Sequence, residues 1–324
     1  MTDAALAAAL SSFSDLVGTE PKVAPLAPPI LMPMHLAIDA ACFSVSAKTG
    51  PSFFLKLYSP DMTSFIDLNG AIAAGTQAGE RNIGPAVRAH DRDKGAVLFD
   101  LLAPGRWRMA GRSDMRSKDV QAAVISAKRA WHRSPRLTKT RSPFDVIRLY
   151  RAMIADLPAT NPIAAPPPLA FHTLAAWTER FEAAIAASGV DIAPIHGDNA
   201  LSNVMLGERD AVRLVDFDQA ANADPTYDVG AFCLEYCSFA EEIEQAVELY
   251  VGRPDSHVLR ARQTLHDRRR FPVGMLGADR PMDLAAQRGN RILQIFPELL
   301  RARSILARKL GAGRIDETGV RRRR

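Results

Sequence analysis

The chain has 324 residues, 47% of them hydrophobic, which is enough to bury a substantial core as one large or two modest domains. No run approaches the ~18 uninterrupted apolar residues of a membrane span, and three cysteines do not make a disulfide framework. Arg321 to Arg324 supply four units of the formal charge of +5, so the remainder is nearly neutral and neither a nucleic-acid nor a membrane partner is expected.

The opening segment MTDAALAAALSSFSDL is apolar and periodic but carries acids instead of a basic leader. It predicts a helix, argues against a secretory signal, and makes the cytoplasm the expected location. Gly18 to Pro33 is proline-rich and predicts an irregular connection. Cys42 to Ala47 and Ser52 to Tyr58 predict two strands joined by the turn KTGP at 48–51. In FFLKLY the period of two puts Phe53, Leu55 and Leu57 on one face, and Phe54, Lys56 and Tyr58 on the other. Lys56 then has two readings, an ammonium on a solvated face or a contact to an anionic ligand.

Residues 63–79 are alanine-rich and predict a helix, followed by a turn at Ile83-Gly84-Pro85 and a strand at Ala86 to Ala89. DRDKG at 91–95 predicts a turn into a strand from Ala96 to Leu102, and Pro104-Gly105 then breaks the pattern. Met115 to Trp131 and Pro143 to Leu157 have helical spacing. Lys128 through Arg151 holds eight Lys or Arg against one acid and reads as an exposed helical face followed by loop. The four prolines in Ala159 to Pro168 predict a loop. Leu174, Trp177, Phe181 and Ile185 mark the buried stripe of the next helix. Helices are also expected near 229–251, 256–270 and 297–310. Cys233 and Cys237 share one side of the first of these and read as packing residues.

The chemistry concentrates in IHGDNALSNVML, residues 195–206, and LVDFD at 214–218. A strand over Asp191 to Ile195 runs into His196-Gly197-Asp198. Asn203 to Leu206 and Val212 to Val215 then predict a hairpin around GERD at 207–210, with Asp216 emerging beside Asn203. Magnesium prefers hard oxygen ligands, which Asn203 and Asp216 offer, and a phosphoryl group in transfer needs positioning and charge neutralisation above all. A carboxylate kept off the metal, Asp198, can orient an acceptor hydroxyl and take its proton, an effect worth ~10²–10⁴-fold in rate. His196 and Gly197 shape the loop.

HGDNALSN together with VDFD resembles the catalytic and metal loops of the aminoglycoside phosphotransferase and choline kinase group. The resemblance spans roughly residues 35–255 and is most specific over 195–230. It implies an α+β, protein-kinase-like two-lobe fold, with a small antiparallel β lobe and a larger, mainly helical lobe. It implies ATP and Mg as cofactors, Asp198 as catalytic base, Asn203 and Asp216 as metal ligands, and His196 and Asp228 as structural residues. Lys56 would meet the nucleotide phosphates, and the hinge segment Phe99, Asp100, Leu101 and Leu102 would offer backbone to adenine. The corresponding organisation is a helix and connection over 1–33, a nucleotide lobe over 34–103, a catalytic and substrate lobe over 104–312, and a basic tail over 313–324.

Two departures from the family pattern stand out. The stretch that would cover the phosphates, MHLAIDAACFSV, contains no glycine. The helix that would supply an acid to Lys56 has Asn69 and Ala71 where glutamate is expected, with Asp67 the nearest substitute. The expected activity is phosphoryl transfer from ATP to a hydroxyl of a small molecule: an amino alcohol such as choline or ethanolamine, an aminoglycoside or a sugar. DVGAFCLEYCSF, LYVG and GRWRMA are closer to the choline and ethanolamine kinases. Glu235, Tyr236, Phe239 and Glu242 are candidates for a cationic substrate. The alternative is a nucleotide-binding pseudokinase acting as a regulatory or interaction module. The oligomeric state is open.

Overall fold

The computed structural model describes residues 3–26, 40–48, 50–60, 66–155, 178–179, 182–183, 186, 191–237 and 240–251. The Arg tail, the loop over 159–168, the stripe from Leu174 to Ile185 and the expected helices at 256–270 and 297–310 lie outside these residues. Two compact units form, one from residues 1–139 with 196–221, the other from 140–195 with 222–324. Among the described residues no helix is long and apolar enough to cross a membrane.

The first unit begins with α1 (Asp3–Ser12) and α2 (Ser14–Val17), followed by β1 (Lys22–Pro25), β2 (Ala40–Ser46) and β3 (Ser52–Tyr58). After α3 (Leu68–Glu80) come β4 (Val87–Asp91) and β5 (Ala96–Asp100), and the five strands make one sheet in the order β1-β2-β3-β5-β4. Neighbouring strands are antiparallel throughout. The alternation in FFLKLY decides the faces: Phe53, Leu55 and Leu57 bury against Ala9, Phe13 and Val17 of the N-terminal segment, with Val45, Ala96 and Leu98 beside them. A buried Phe or Leu side chain of this kind contributes ~1.5–3 kcal/mol, so α1 and α2 are held by the sheet and not by helix propensity.

β1 corrects the expectation of an irregular connection over Gly18 to Pro33. Lys22–Pro25 pairs with β2, placing Val23 opposite Val45. Its proline sits at the strand's end, where a missing N–H costs little, and the strand owes its existence to an available edge and not to its composition.

Downstream, β6 (Arg108–Met109), α4 (Lys118–His132), β8 (Val204–Leu206) and β9 (Val212–Leu214) belong to the first unit, whereas α5 (Pro143–Ala155) and β7 (Ala193–Ile195) fall in the second. Strands β6, β8 and β9 form a three-stranded antiparallel sheet with Val204 opposite Leu214, which is the hairpin expected around GERD. α4 starts at a Ser117 cap that accepts from Val120 N–H. It buries Gln121, Val124, Ile125, Lys128, Trp131 and His132. Lys128 is therefore not on a solvated face: it is 2% exposed. Arg133 and Arg136 are exposed as the charge pattern implied.

In the second unit α5 opens at Ser142, whose N–H and hydroxyl both donate to Asp145 (2.7 Å each). β7 pairs with β10 (Ala221–Ala223). Two helices follow, α6 (Thr226–Tyr236) and α7 (Ala240–Val251), where one span over 229–251 was expected; Cys237 is extended at the end of α6. Cys233 and Cys237 are buried free thiols.

Candidate functional site

Two loops of the first unit carry the chemistry, and the β8–β9 hairpin joins them. On one side, β8 begins immediately after Asn203. On the other, β9 ends at Leu214 and the chain continues through Val215 to Asp216. Val215 N–H donates to the backbone carbonyl of Asn203 (3.0 Å), so the hairpin register itself sets the backbone of Asn203 beside the residue that precedes Asp216. Asn203 N–H in turn donates to Ala200 O (3.0 Å), closing the loop that descends from Asp198.

His196 locks the two loops together. It is 1% exposed, and one ring nitrogen, Nε2, lies 2.8 Å from Val215 O while the other, Nδ1, lies 3.3 Å from Asp198 N. A carbonyl can only accept and an amide N–H can only donate, so the pattern requires neutral imidazole with its proton on Nε2. The ring also packs on Phe217 at 4.7 Å between centroids, and Phe217 packs on Trp131 at 4.8 Å. Gly197 adopts φ +81°, and a Cβ there would come within 2.5 Å of Gln219 O. Only glycine allows the two loops to approach this closely. Asp198 accepts from Ala200 N–H at 3.2 Å, a turn that leaves its second oxygen for other work.

Asp216 has φ +69° and ψ +64°, a left-handed conformation costly for a side chain other than glycine or asparagine. The strain turns its carboxylate toward β3. There Lys56 Nζ lies 2.6 Å from Asp216 Oδ1 and 2.7 Å from Asp218 Oδ2. Tyr58, two residues along the same strand face, donates its hydroxyl to Asp218 Oδ1 (2.6 Å), and Lys56 Nζ lies 4.8 Å over its ring. The ammonium is thus held by two carboxylates and an aromatic face.

Burial by itself would lower the Lys56 pKa, but the charges of Asp216 and Asp218 override it and hold the ammonium well above its ordinary range. Asp218 is pushed up to about 7, first by burial and then by the charge of Asp216. Burial acts the same way on Asp216, yet Lys56 wins and holds it below the usual carboxylate range. Asp216 keeps 36% of its side chain exposed against 8% for Asp218, so Asp216 is the carboxylate that an incoming ligand can reach.

The donor set fits a magnesium ion. Asn203 and Asp216 supply hard oxygens from adjacent loops, and the oxygen that faces β3 already carries a cation, the ammonium of Lys56. Among the described residues no three His, Cys, Asp or Glu side chains form a metal cage. Magnesium suits such an open arrangement, because it keeps waters and takes substrate phosphates as ligands instead of demanding an all-protein shell.

The His196 bonds and the hairpin thus join the loops that carry Asp198, Asn203 and Asp216, and Asp216 meets Lys56. Asp67 does not meet Lys56: it caps α3 by accepting from Gly70 N–H (3.1 Å) and pairs with Lys139 (3.2 Å). The partners that sequence reasoning missed are Asp218 and Tyr58. Their signal was present, since Tyr58 shares the face of Lys56 at a spacing of two and Asp218 is the second acid of VDFD. In the expected hinge, Phe99 packs edge-on to Phe54 at 6.1 Å, and the carboxylate of Asp100 is held by Arg88 at 2.7 and 2.6 Å. The N–H groups of Asp100 and Leu101 donate to Ala86 O and Ser52 O (2.9 and 3.2 Å), which leaves Leu102 to begin the segment beyond the sheet. Asp228 is fully buried in the first turn of α6 in the second unit. Tyr236 is buried against Phe232 at 4.4 Å, a core position and not the open aromatic face a cationic ligand needs. Phe239 lies outside the described residues.

A search of curated protein sequences found no match. Solved structures do match. The choline/ethanolamine kinase family protein of Mesorhizobium loti superposes with a TM-score of 0.66 at 16% identity, covering 96% of this chain and 100% of that one. The choline kinase of Streptococcus pneumoniae gives 0.63 at 14% identity, covering 89% and 96%, and a structure of that kinase also exists in complex with AMP. An aminoglycoside phosphotransferase of Streptomyces rimosus gives 0.52 at 18% identity, covering 92% and 99%. These likenesses give the fold, an α+β protein-kinase-like two-lobe architecture with an antiparallel β lobe. The sequence profile of the phosphotransferase enzyme family matches residues 39–262, more than half of the chain, and the chain belongs to that family.

Proposed function

We propose that the protein transfers the γ-phosphoryl group of ATP to a hydroxyl of a small molecule in a magnesium-dependent reaction. One observation carries the reading: Lys56 Nζ sits 2.6 Å from Asp216 Oδ1, at the turn that the hairpin sets beside Asn203 and that His196 ties to the Asp198 loop. A phosphate-neutralising ammonium, two hard oxygen ligands and a separate carboxylate are the parts that phosphoryl transfer requires.

In this reading Asp198 accepts the hydrogen bond of the acceptor hydroxyl and takes its proton as the oxygen attacks the γ-phosphorus, whose bond to the bridging oxygen breaks with ADP as the leaving group. Lys56 leaves its carboxylate partners in part to meet the phosphate oxygens, and Asn203 and Asp216 would hold the metal. Magnesium, when bound, neutralises charge on the β- and γ-phosphates. Leu102 and the residues after it offer backbone to adenine, since the amides of Asp100 and Leu101 are committed to the sheet. The AMP complex of the pneumococcal choline kinase supports an adenine nucleotide as donor. The choline and ethanolamine kinase likenesses favour an amino alcohol acceptor over an aminoglycoside or a sugar.

The test is transfer of label from γ-labelled ATP across amino alcohols, aminoglycosides and sugars, with Mg and with excess EDTA. Wild type is expected to label at least one amino alcohol only when Mg is present, and Asp198→Asn to lose ~10²-fold or more of that rate. ATP binding in a thermal-shift assay with no transfer to any alcohol would instead support a pseudokinase. Equal rates for wild type and Asp198→Asn would remove the assigned base.

A further inference from the structure

Lys128 is a buried cation that the proposed chemistry does not use. It lies on the inner face of α4 with Val124 four residues before it and Trp131 three after, 2% exposed, and its Nζ donates to Asn199 Oδ1. An ammonium in a protein interior costs far more to desolvate than an apolar side chain of equal volume. Filling the core therefore does not by itself explain a lysine at this place.

The position of Asn199 gives the ammonium another purpose. Asn199 is itself buried, and it is the central residue of the turn in which Asp198 Oδ1 accepts from Ala200 N–H at 3.2 Å. A hydrogen bond from a charged donor onto that central side chain fixes the turn from behind. The same helix reaches the opposite loop through Trp131, which packs on Phe217 at 4.8 Å, and Phe217 packs on His196 at 4.7 Å. One face of α4 thus touches the loop of Asp198 and the loop of Asp216.

Resting on the phosphotransferase reading above, we infer that Lys128 is a positioning residue: through Asn199 it holds Asp198 at the angle from which it addresses the acceptor hydroxyl. Its contribution falls on the chemical step and not on nucleotide affinity, because the turn it fixes carries the base and not the groups assigned to the phosphates.

The test compares wild type with Lys128→Met and with the double variant Lys128→Met/Asn199→Leu. The single change leaves a buried amide without its charged donor and is expected to lower both Tm and kcat. The double variant also replaces the amide that the single change strands, so its Tm is expected to lie above that of Lys128→Met. Its kcat is expected to stay depressed on the order of 10²-fold, with KM for ATP changed by less than about twofold. Amide hydrogen exchange supplies a readout that needs no turnover: residues 197–203 should lose protection in the double variant while the β2–β3 pair keeps it. If wild type proves inactive, the functional reading fails and exchange alone decides the positioning role. A kcat that recovers along with Tm, or unchanged protection over 197–203, overturns the inference.

Discussion

The Nε2–H of His196 donates to the carbonyl of Val215 at 2.8 Å, and this one bond ties the loop that carries Asp198 to the strand end that presents Asp216. Because Nδ1 of the same ring accepts from Asp198 N–H at 3.3 Å, the imidazole bridges both loops as a neutral group. His196→Phe keeps a ring against Phe217 and removes both bonds, leaving the carbonyl of Val215 and the N–H of Asp198, both on half-buried residues, without this partner. Urea denaturation should show a loss of about 1–3 kcal/mol, with phosphoryl transfer falling further than the loss of folded protein accounts for. Unchanged stability would mean that the ring only fills space.

Gly197 makes a sharper test of how closely the loops must approach. Gly197→Ala forces an L-residue to φ +81° and places a methyl 2.5 Å from Gln219 O, backbone that cannot rotate away. Gly18 serves as the control, with φ +79° and nothing within 4 Å of where a Cβ would stand. Gly18→Ala should cost only the backbone penalty of its φ +79°, ψ 178° conformation, about 1–3 kcal/mol, whereas Gly197→Ala adds the clash, should cost more than that and should abolish transfer. Equal Tm losses in the two variants would show that the loop contact yields.

Local chemistry made much of this site legible. The alternation in FFLKLY gave both faces of β3, and the GERD turn between two apolar runs gave the hairpin that brings Asn203 and Asp216 together. The rest depends on contacts between distant parts of the chain. Lys56 and Asp218 are 162 residues apart, and nothing near Lys56 in sequence says that its acid comes from the loop after β9 and not from α3. β1 exists because β2 offers an edge. Lys128 was hidden by its charge, although its spacing to Val124 and Trp131 puts it on the buried face of α4.

Because α3 lacks a partner acid, Lys56 depends on Asp218 and Tyr58 to stay in place when Asp216 turns to a metal. Tyr58→Phe removes one donor to Asp218 and should raise KM for ATP severalfold with a smaller change in kcat. Asp218→Asn keeps the shape but removes the charge that faces Lys56, and should cost on the order of 10²-fold in kcat/KM. A variant of Asp67, by contrast, should weaken the α3 cap and the pair with Lys139, a loss of about 1 kcal/mol, with transfer per folded molecule unchanged. Steady-state kinetics on the three variants separates these outcomes, and loss of transfer in Asp67→Ala would return the partner role to α3.

The same cluster sets a pH dependence in the ligand-free protein. Asp218 titrates near 7 when folded and near the ordinary value of 3.8 when unfolded, so between these values the folded state holds a proton that the unfolded state has released. Stability from this group is therefore greatest below the unfolded value and is lost as pH rises toward 7. Asp216 has the opposite sign, since its lowered pKa adds stability above the ordinary carboxylate range and loses it in acid. The raised pKa of Lys56 acts only in alkali, above the window in question. Between pH 5 and pH 8 Asp218 thus contributes a loss of stability, and Asp218→Asn removes that contribution. The Tm of wild type minus that of Asp218→Asn should fall by more than about 2 °C across this range. A difference that stays flat would place the Asp218 proton elsewhere, and one that rises would mean that Lys56 keeps Asp218 ionised throughout.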